Sequence, residues 1–310
     1  MILVFGSLNV DLVVPVAQLP VAGETVLGES YRIVAGGKGA NQALAARRAG
    51  AEVRMVGAVG RDGFAAIALQ ELAAAGVDID GVARVDAPTG AAFIGVDPQG
   101  QNQITVASGA NLRARSEQVQ DAWLRPPGLL LLQMEVPEAE NWSLLKRARQ
   151  AGLSTLLNVA PARPLPASIL PLIDWLIVNE IEVVTVAAAT GHRTQDPYQA
   201  GARLASGGTQ TLVTLGAEGA VAFMKGEAWQ VDALPVRVLD TTAAGDAFVG
   251  AFAAALDSGQ RLPEALRWAS AAGGLACTAA GAQPSLPARA AILARAADIA
   301  PPRSILLQMK

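Results

Sequence analysis

The feature that most restricts the fold is a series of short, almost uninterrupted apolar runs, separated by segments with helical spacing. Residues 2–5, 53–59, 129–134, 155–158, 175–178 and 210–215 read as strands that are apolar along most of their length rather than alternating. Such strands are buried on both faces. Between them, residues 39–49 (closed by Gly50), 63–75 (stopped by Gly76), 137–151 (opened by Pro137) and 197–206 have helical character. This alternation predicts an α/β fold: a mostly parallel central sheet with helices on both faces. Residues 220–224 and 228–231 read as a hairpin across Lys225-Gly226-Glu227, and residues 263–280 and 287–297 as the closing helices.

Residues 12–16, 25–27 and 31–34 are β-like but lack helical partners. With 91–96 and 103–107 they are expected to form a small separate sheet, so that the strands within about 12–34 and 91–107 stand apart from the main one. A small exposed sheet with one apolar face seeks a partner, which points to a homodimer. The 310 residues are 52% hydrophobic and 16% charged, enough for one large α/β domain over 1–300; the tail, 301–310, is not obviously part of it.

Lys+Arg number 24 and Asp+Glu 27, a net charge of -3, so there is no basic excess for nucleic acid and no polybasic membrane anchor. The one cysteine, Cys277, excludes an internal disulfide and a cysteine zinc site. The apolar start lacks a basic segment and is better a strand than a signal peptide. The run 129–132 is stopped by Gln133 and Glu135, far short of a membrane span. A cytoplasmic protein is expected.

The chemistry concentrates in 240–248, Asp-Thr-Thr-Ala-Ala-Gly-Asp-Ala-Phe, a turn of small residues running into a helix. The first N–H groups of a helix have no internal partner and attract an anion. Ala243, Ala244 and Gly245 therefore form a candidate anion hole beside Asp246, a candidate base. Phosphoryl transfer to a hydroxyl needs that pair, one part steadying phosphate charge and the other taking the proton. The competing reading is that Asp246 merely caps the helix. Polar residues also recur after successive strands: Asn9 and Asp11, Glu135, Asn158, Asn179 and Glu182, Thr214 and Gly216. In a parallel sheet those ends share one edge and converge. Asn9, Asp11, Gly37, Lys38, Asn41 and Glu135 supply the acceptors and amides that a sugar's hydroxyls require. No Walker-type phosphate loop follows Lys38, and no dinucleotide fingerprint follows the first strand. The only histidine, His192, lies in a polar loop without triad partners.

Gly36-Gly37-Lys38-Gly39-Ala40-Asn41-Gln42-Ala43 and Asp240-Thr241-Thr242-Ala243-Ala244-Gly245-Asp246 together resemble the two signatures of the phosphofructokinase-B type (ribokinase-like) carbohydrate kinases, over residues 6 to about 286. The resemblance implies ATP-dependent phosphorylation of the primary 5-hydroxyl of D-ribose; 2-deoxyribose, another sugar or a nucleoside, or a non-catalytic sugar-binding regulator, remain as alternatives. It implies that the small sheet is a lid over the sugar, often paired between two subunits. Asp11 and Asn41 would read ring hydroxyls, and Asp246 the hydroxyl phosphorylated. Thr214, Gly216, Ala217 and Gly219 match the family's nucleotide loop, and Ser270 stands where a base contact is expected, with Asn179, Ala244 and Gly245 also toward ATP. Asn179 and Glu182 match an Asn-x-x-Glu motif that orders Mg²⁺ through water. Asp240, Thr242, Ala276, Ala279, Gly281 and Ser285 match the positions of a K⁺ site.

Overall fold

The computed structural model describes residues 1–305. Along the chain run β1 (Ile2–Phe5), β2 (Asn9–Pro15), β3 (Arg32–Gly36), α1 (Lys38–Arg48), β4 (Val53–Val59), α2 (Gly63–Ala74), β5 (Asp78–Arg84), β6 (Gly90–Val96) and β7 (Asn102–Ala107). Then follow β8 (Leu129–Leu132), α3 (Glu138–Ala151), β9 (Ser154–Asn158), β10 (Trp175–Asn179), α4 (Glu180–Ala189), α5 (Pro197–Ser206), β11 (Gln210–Thr214), β12 (Ala220–Met224) and β13 (Glu227–Val231). The chain closes with α6 (Ala244–Asp257), α7 (Leu262–Ala276), α8 (Ala282–Ser285), α9 (Arg289–Ala296) and β14 (Arg303–Ile305).

Ten strands make the main sheet in the order β14-β13-β12-β11-β10-β9-β8-β1-β4-β5. From β5 to β11 every pairing is parallel, and β12, β13 and β14 add on antiparallel. The uninterrupted apolar runs explain this arrangement. Ile2, Val4, Leu129, Leu131, Leu156, Ile177 and Leu212 point to one core with α1, α2, α6, α7 and α9. Their neighbours Leu3, Phe5, Leu130, Leu132, Leu157, Leu176 and Val213 point to a second core with α3, α4 and α5. Each of these central strands thus buries both of its faces, as a parallel sheet between two helical layers must.

The second sheet has the order β3-β2-β6-β7. Across it stand two rows on one face: Val34, Asp11, Ala92 and Val106, then Arg32, Val13, Ile94 and Ile104. Every residue of β7 is exposed. Two expectations need correction. Residues 25–27 are not a strand; they lie in irregular chain after the turn at Gly23. The helix expected over 263–280 ends at Ala276, because the Cys277 carbonyl accepts the N–H groups of Leu239 (2.8 Å) and Asp240 (3.3 Å) from a neighbouring loop. The tail is partly fold: Arg303–Ile305 pairs with β13, while residues 306–310 lie outside the described residues. No described helix is long and apolar enough to cross a membrane.

Candidate active site

Asp246 lies in the first turn of α6 and is only 7% exposed. Its carboxylate does not cap the helix. The cap position is Ala243, and both carboxylate oxygens are held from α1: Asn41 Nδ2 donates to Oδ2 at 2.9 Å and Gln42 Nε2 to Oδ1 at 2.9 Å. Gln42 also donates to Asn158 Oδ1 (2.9 Å), accepts from Gln133 Nε2 (2.8 Å), and Asn158 in turn donates to the Ile177 carbonyl (3.0 Å). A chain of buried amides therefore runs across the ends of β8, β9 and β10 and terminates on this one carboxylate. Such a network fixes an acid's position more firmly than either bond alone.

Asp246 reaches that place because the backbone before it is bent. Ala243 has φ 58°, the only non-glycine residue in the left-handed region among the described residues. That conformation costs an alanine roughly 1–2 kcal/mol, strain that persists only where surrounding structure imposes it. Of the three amides expected to hold an anion, Ala244 N–H donates within the turn to the Thr241 carbonyl at 3.2 Å. Ala243 and Gly245 are at the mouth of the helix.

Opposite, α1 begins at Lys38 after Gly37, whose φ of 91° only glycine adopts freely. A Cβ on Gly37 would also lie 2.7 Å from the Asn9 amide nitrogen. Lys38 N–H donates to Glu135 Oε2 (3.1 Å), which also accepts from the Ser7 hydroxyl (2.5 Å). Asn9, buried, accepts from Asn111 Nδ2 at 2.7 Å. A side chain at Gly36 would collide with the Asp11 carboxylate, so glycine there makes the slot in which that carboxylate stands.

The electrostatics gather these groups into one cluster. Asp246, then Glu135, Glu182 and Asp11 hold the Lys38 ammonium above its usual pKa, against the effect of its burial. Burial first, then the Glu135 and Asp246 charges, push Asp11 up to about 6, and Lys38 pulls it back. Glu182 is raised chiefly by burial. Four carboxylates thus surround one ammonium. Because folding raises the Asp11 pKa from 3.8 to about 6, its charge opposes folding fully above about pH 6 and is relieved as pH falls toward 3.8. Asp11→Asn is therefore expected to raise the melting temperature by about 2 °C at pH 8 and by less at pH 5. Thermal melts at the two pH values check this; an equal or opposite change contradicts it.

The residues expected on the nucleotide side line a separate groove of about 520 Å³. Thr214, Gly216, Ala217, Gly219, Ala244, Gly245 and Ser270 all face it. Ala244 and Gly245 belong both to this groove and to the helix that carries Asp246, so groove and carboxylate adjoin. Asn179 does not line the groove but pairs in register with Thr214.

Asn179 and Glu182 form a capping box on α4: Asn179 Oδ1 accepts from Ile181 (3.0 Å) and Glu182 (2.9 Å) N–H, and Glu182 Oε2 from Asn179 N–H (2.8 Å). The helix-start reading of that motif therefore holds for these atoms. No cluster of three or more His, Cys, Asp or Glu that could cage a metal occurs among the described residues. Asp240 ties two loops together, accepting from Thr242 N–H (2.9 Å) and Oγ1 (2.6 Å) and from Gly281 N–H (2.8 Å). Ser285 Oγ donates to the Ala282 carbonyl at 2.8 Å. Ala276 and Ala279 lie on the same connection, where Ala279 N–H reaches the Ala276 carbonyl at 3.4 Å.

Sequence reasoning passed over Gln42, Gln133, Ser7 and Asn111 as site residues. Gln42 stood inside the quoted motif beside Asn41, which is the signal that could have found it. Asn111 sits in a short 3₁₀ turn, Gly109–Arg113, with no pattern around it.

Residues 1–289 match the profile of the pfkB family carbohydrate kinases. A curated ribokinase of Haemophilus influenzae is 36% identical over 290 residues, covering 92% of this chain and 95% of that protein. The crystal structure of a ribokinase from Thermotoga maritima superposes with a TM-score of 0.89 at 33% identity, covering 95% of this chain and 98% of the other. Arabidopsis thaliana ribokinase, solved in complex with ribose and ATP, has a TM-score of 0.86 at 36% identity, with 95% and 98% covered.

Proposed function

The chain belongs to the pfkB family of carbohydrate kinases, and we propose from that premise that it transfers the γ-phosphoryl group of ATP to the 5-hydroxyl of D-ribose, giving D-ribose 5-phosphate and ADP. The observation that carries this reading is the buried Asp246 carboxylate, held by Asn41 and Gln42 where the nucleotide groove meets the start of α6.

Ribose lies under the small sheet, against Asn9, Asp11, Lys38, Asn41 and Glu135. Asn41 Oδ1 is buried without a hydrogen-bond partner among the described residues, which suits it to accept a ring hydroxyl. Asp11 and Glu135 accept others, and their charges suit them to hydroxyl donors rather than to phosphate. Asp246, its two oxygens already oriented, accepts the proton of the 5-hydroxyl as the phosphoryl group moves across in line. The N–H groups of Ala243, Ala244 and Gly245, for which the Ala244 amide must leave Thr241, together with Lys38, take up the phosphoryl charge. The adenosine part of ATP occupies the groove lined by Gly216, Ala217, Gly219 and Ser270.

Four carboxylates around one ammonium are a poor setting for a triphosphate unless further cations accompany it. The residues fit a Mg²⁺ carried in with the triphosphate, whose water shell Asn179 and Glu182 would order. When bound, it neutralises phosphate charge. The loops joined by Asp240, Thr242, Ala276, Ala279, Gly281 and Ser285 offer oxygen donors that suit K⁺, which would stiffen the turn leading into Ala243.

We further propose that two copies associate through the small sheet. On the face that carries Asp11, Ile104 and Val106 are about half exposed, at 52% and 48%, and β7 is an unpaired edge. Ile104→Glu is expected to shift the protein to a monomer in light scattering; an unchanged mass contradicts the assignment of that face.

A panel of D-ribose, 2-deoxyribose, ketoses and nucleosides, with ATP and Mg²⁺ and with or without K⁺, tests the activity through ADP release. Ribose is expected to give the highest kcat/KM. A nucleoside ahead of ribose, or sugar binding with no ADP release, contradicts the reading.

A further inference from the structure

Among the described residues, no free side chain in the nucleotide groove tells one purine from another, and we propose that the protein accepts purine nucleoside triphosphates as phosphoryl donors with little regard to the groups on the base. This rests on the kinase reading and names the donor class of the same site.

The groove starts at Ala244 and Gly245 and follows one face of α7, where Ser270, Gly273, Gly274 and Cys277 recur at helical spacing. A Cβ on Gly274 would lie 2.7 Å from Leu234 Cβ, so the lack of one lets Leu234 close against the helix as the floor of the groove. Pro235, Val236 and Val238 continue that apolar wall. Among the described residues, no Asp, Glu, Lys, Arg, His, Asn or Gln lines the groove.

The hydroxyls that do line it are committed or lie elsewhere. The Ser270 hydroxyl donates to the Asp232 carbonyl at 2.7 Å, and the Thr214 hydroxyl to the Val178 carbonyl at 3.4 Å. Thr241 belongs to the phosphate end, where its carbonyl accepts the Ala244 N–H. The Cys277 thiol is a weak donor. At the base end Ser270 therefore presents oxygen lone pairs and no proton. Adenine carries an amino donor where guanine and hypoxanthine carry a carbonyl acceptor. A lone side-chain acceptor cannot separate them, because the amino group of adenine and the ring N–H of the other two can each donate to it. Sites built on fixed hydrogen bonds reject the wrong group by about 10⁴-fold or more, whereas apolar shape alone discriminates by roughly 10–200-fold.

The test compares kcat/KM for ATP, GTP and ITP at saturating ribose, and the calorimetric affinities of ADP, GDP and IDP for the full-length protein. All three donors are expected within about twentyfold of one another. Ser270→Ala is expected to leave the ATP to GTP ratio within about threefold of wild type, since that hydroxyl's proton is already given to Asp232. A wild-type preference beyond about twentyfold, or a larger change of ratio in Ser270→Ala, overturns the proposal. The diphosphate affinities keep it separable from the kinase reading. If ADP and GDP bind alike but no donor phosphorylates ribose, the activity falls and the base indifference stands. If ATP phosphorylates ribose and GDP fails to bind, the reverse holds.

Discussion

Asp246→Asn lowers kcat for ribose phosphorylation by about 10³-fold while ribose affinity stays within about threefold, because general-base assistance contributes roughly 10²–10⁴-fold. The substitution keeps size and removes the charge. It also places an NH₂ group against one of two donors, Asn41 Nδ2 and Gln42 Nε2, since the carboxylate accepts from both. One of the two bonds is therefore lost, and a modest fall in melting temperature accompanies the fall in rate. Steady-state kinetics and ribose calorimetry on the same preparation separate the effects. A variant that retains kcat within tenfold of wild type removes Asp246 from the chemistry.

Lys38→Ala is expected to have the second largest effect. It withdraws the ammonium from among Asp246, Glu135, Glu182 and Asp11 and the cation from beside the transferring phosphate. Turnover should fall by about 10²-fold, in the range that loss of one charge-stabilising donor costs. The melting temperature at pH 8 should drop by about 4 °C, for a destabilisation of about 2 kcal/mol, because the carboxylates lose the ammonium buried among them. The sign of the pH effect is set by the carboxylates left behind. Without Lys38, which lowers both, Asp11 and Glu182 are pushed up further on folding, so the penalty is largest where they are charged and shrinks as they take up protons. The difference in melting temperature should be smaller at pH 5 than at pH 8. A difference that grows on acidification, or an unaltered rate, contradicts the cluster as described.

The main sheet was legible because its strands are buried twice. β1, β4, β8 and β10 carry apolar residues on both faces, and that run of residues survives in a bare sequence. β5 was not legible. It is an edge strand in which Ile79 and Val82 are separated by Asp80 and Gly81, so neither an alternating nor a continuous pattern appears. The 3₁₀ turns around Asn111 were silent for a similar reason. The early end of α7 depends on a tertiary contact, the Cys277 carbonyl taken by the loop at Leu239, which no local propensity encodes. The site was legible where residues sit in one short motif or at strand ends: Lys38, Asn41, Glu135 and Asp246 converge as expected. The amide relay from Gln133 through Gln42 to Asp246 was not, because each link joins positions about 90 or more residues apart. A pairing of that kind has no signature at either end.

The most direct test is a crystal structure with ribose and a non-hydrolysable ATP analogue bound together. The account predicts the ribose 5-hydroxyl within about 3.2 Å of an Asp246 carboxylate oxygen, with a terminal phosphate oxygen facing the N–H groups at the start of α6. A 5-hydroxyl directed away from Asp246, or that carboxylate swung out of the site, would contradict it.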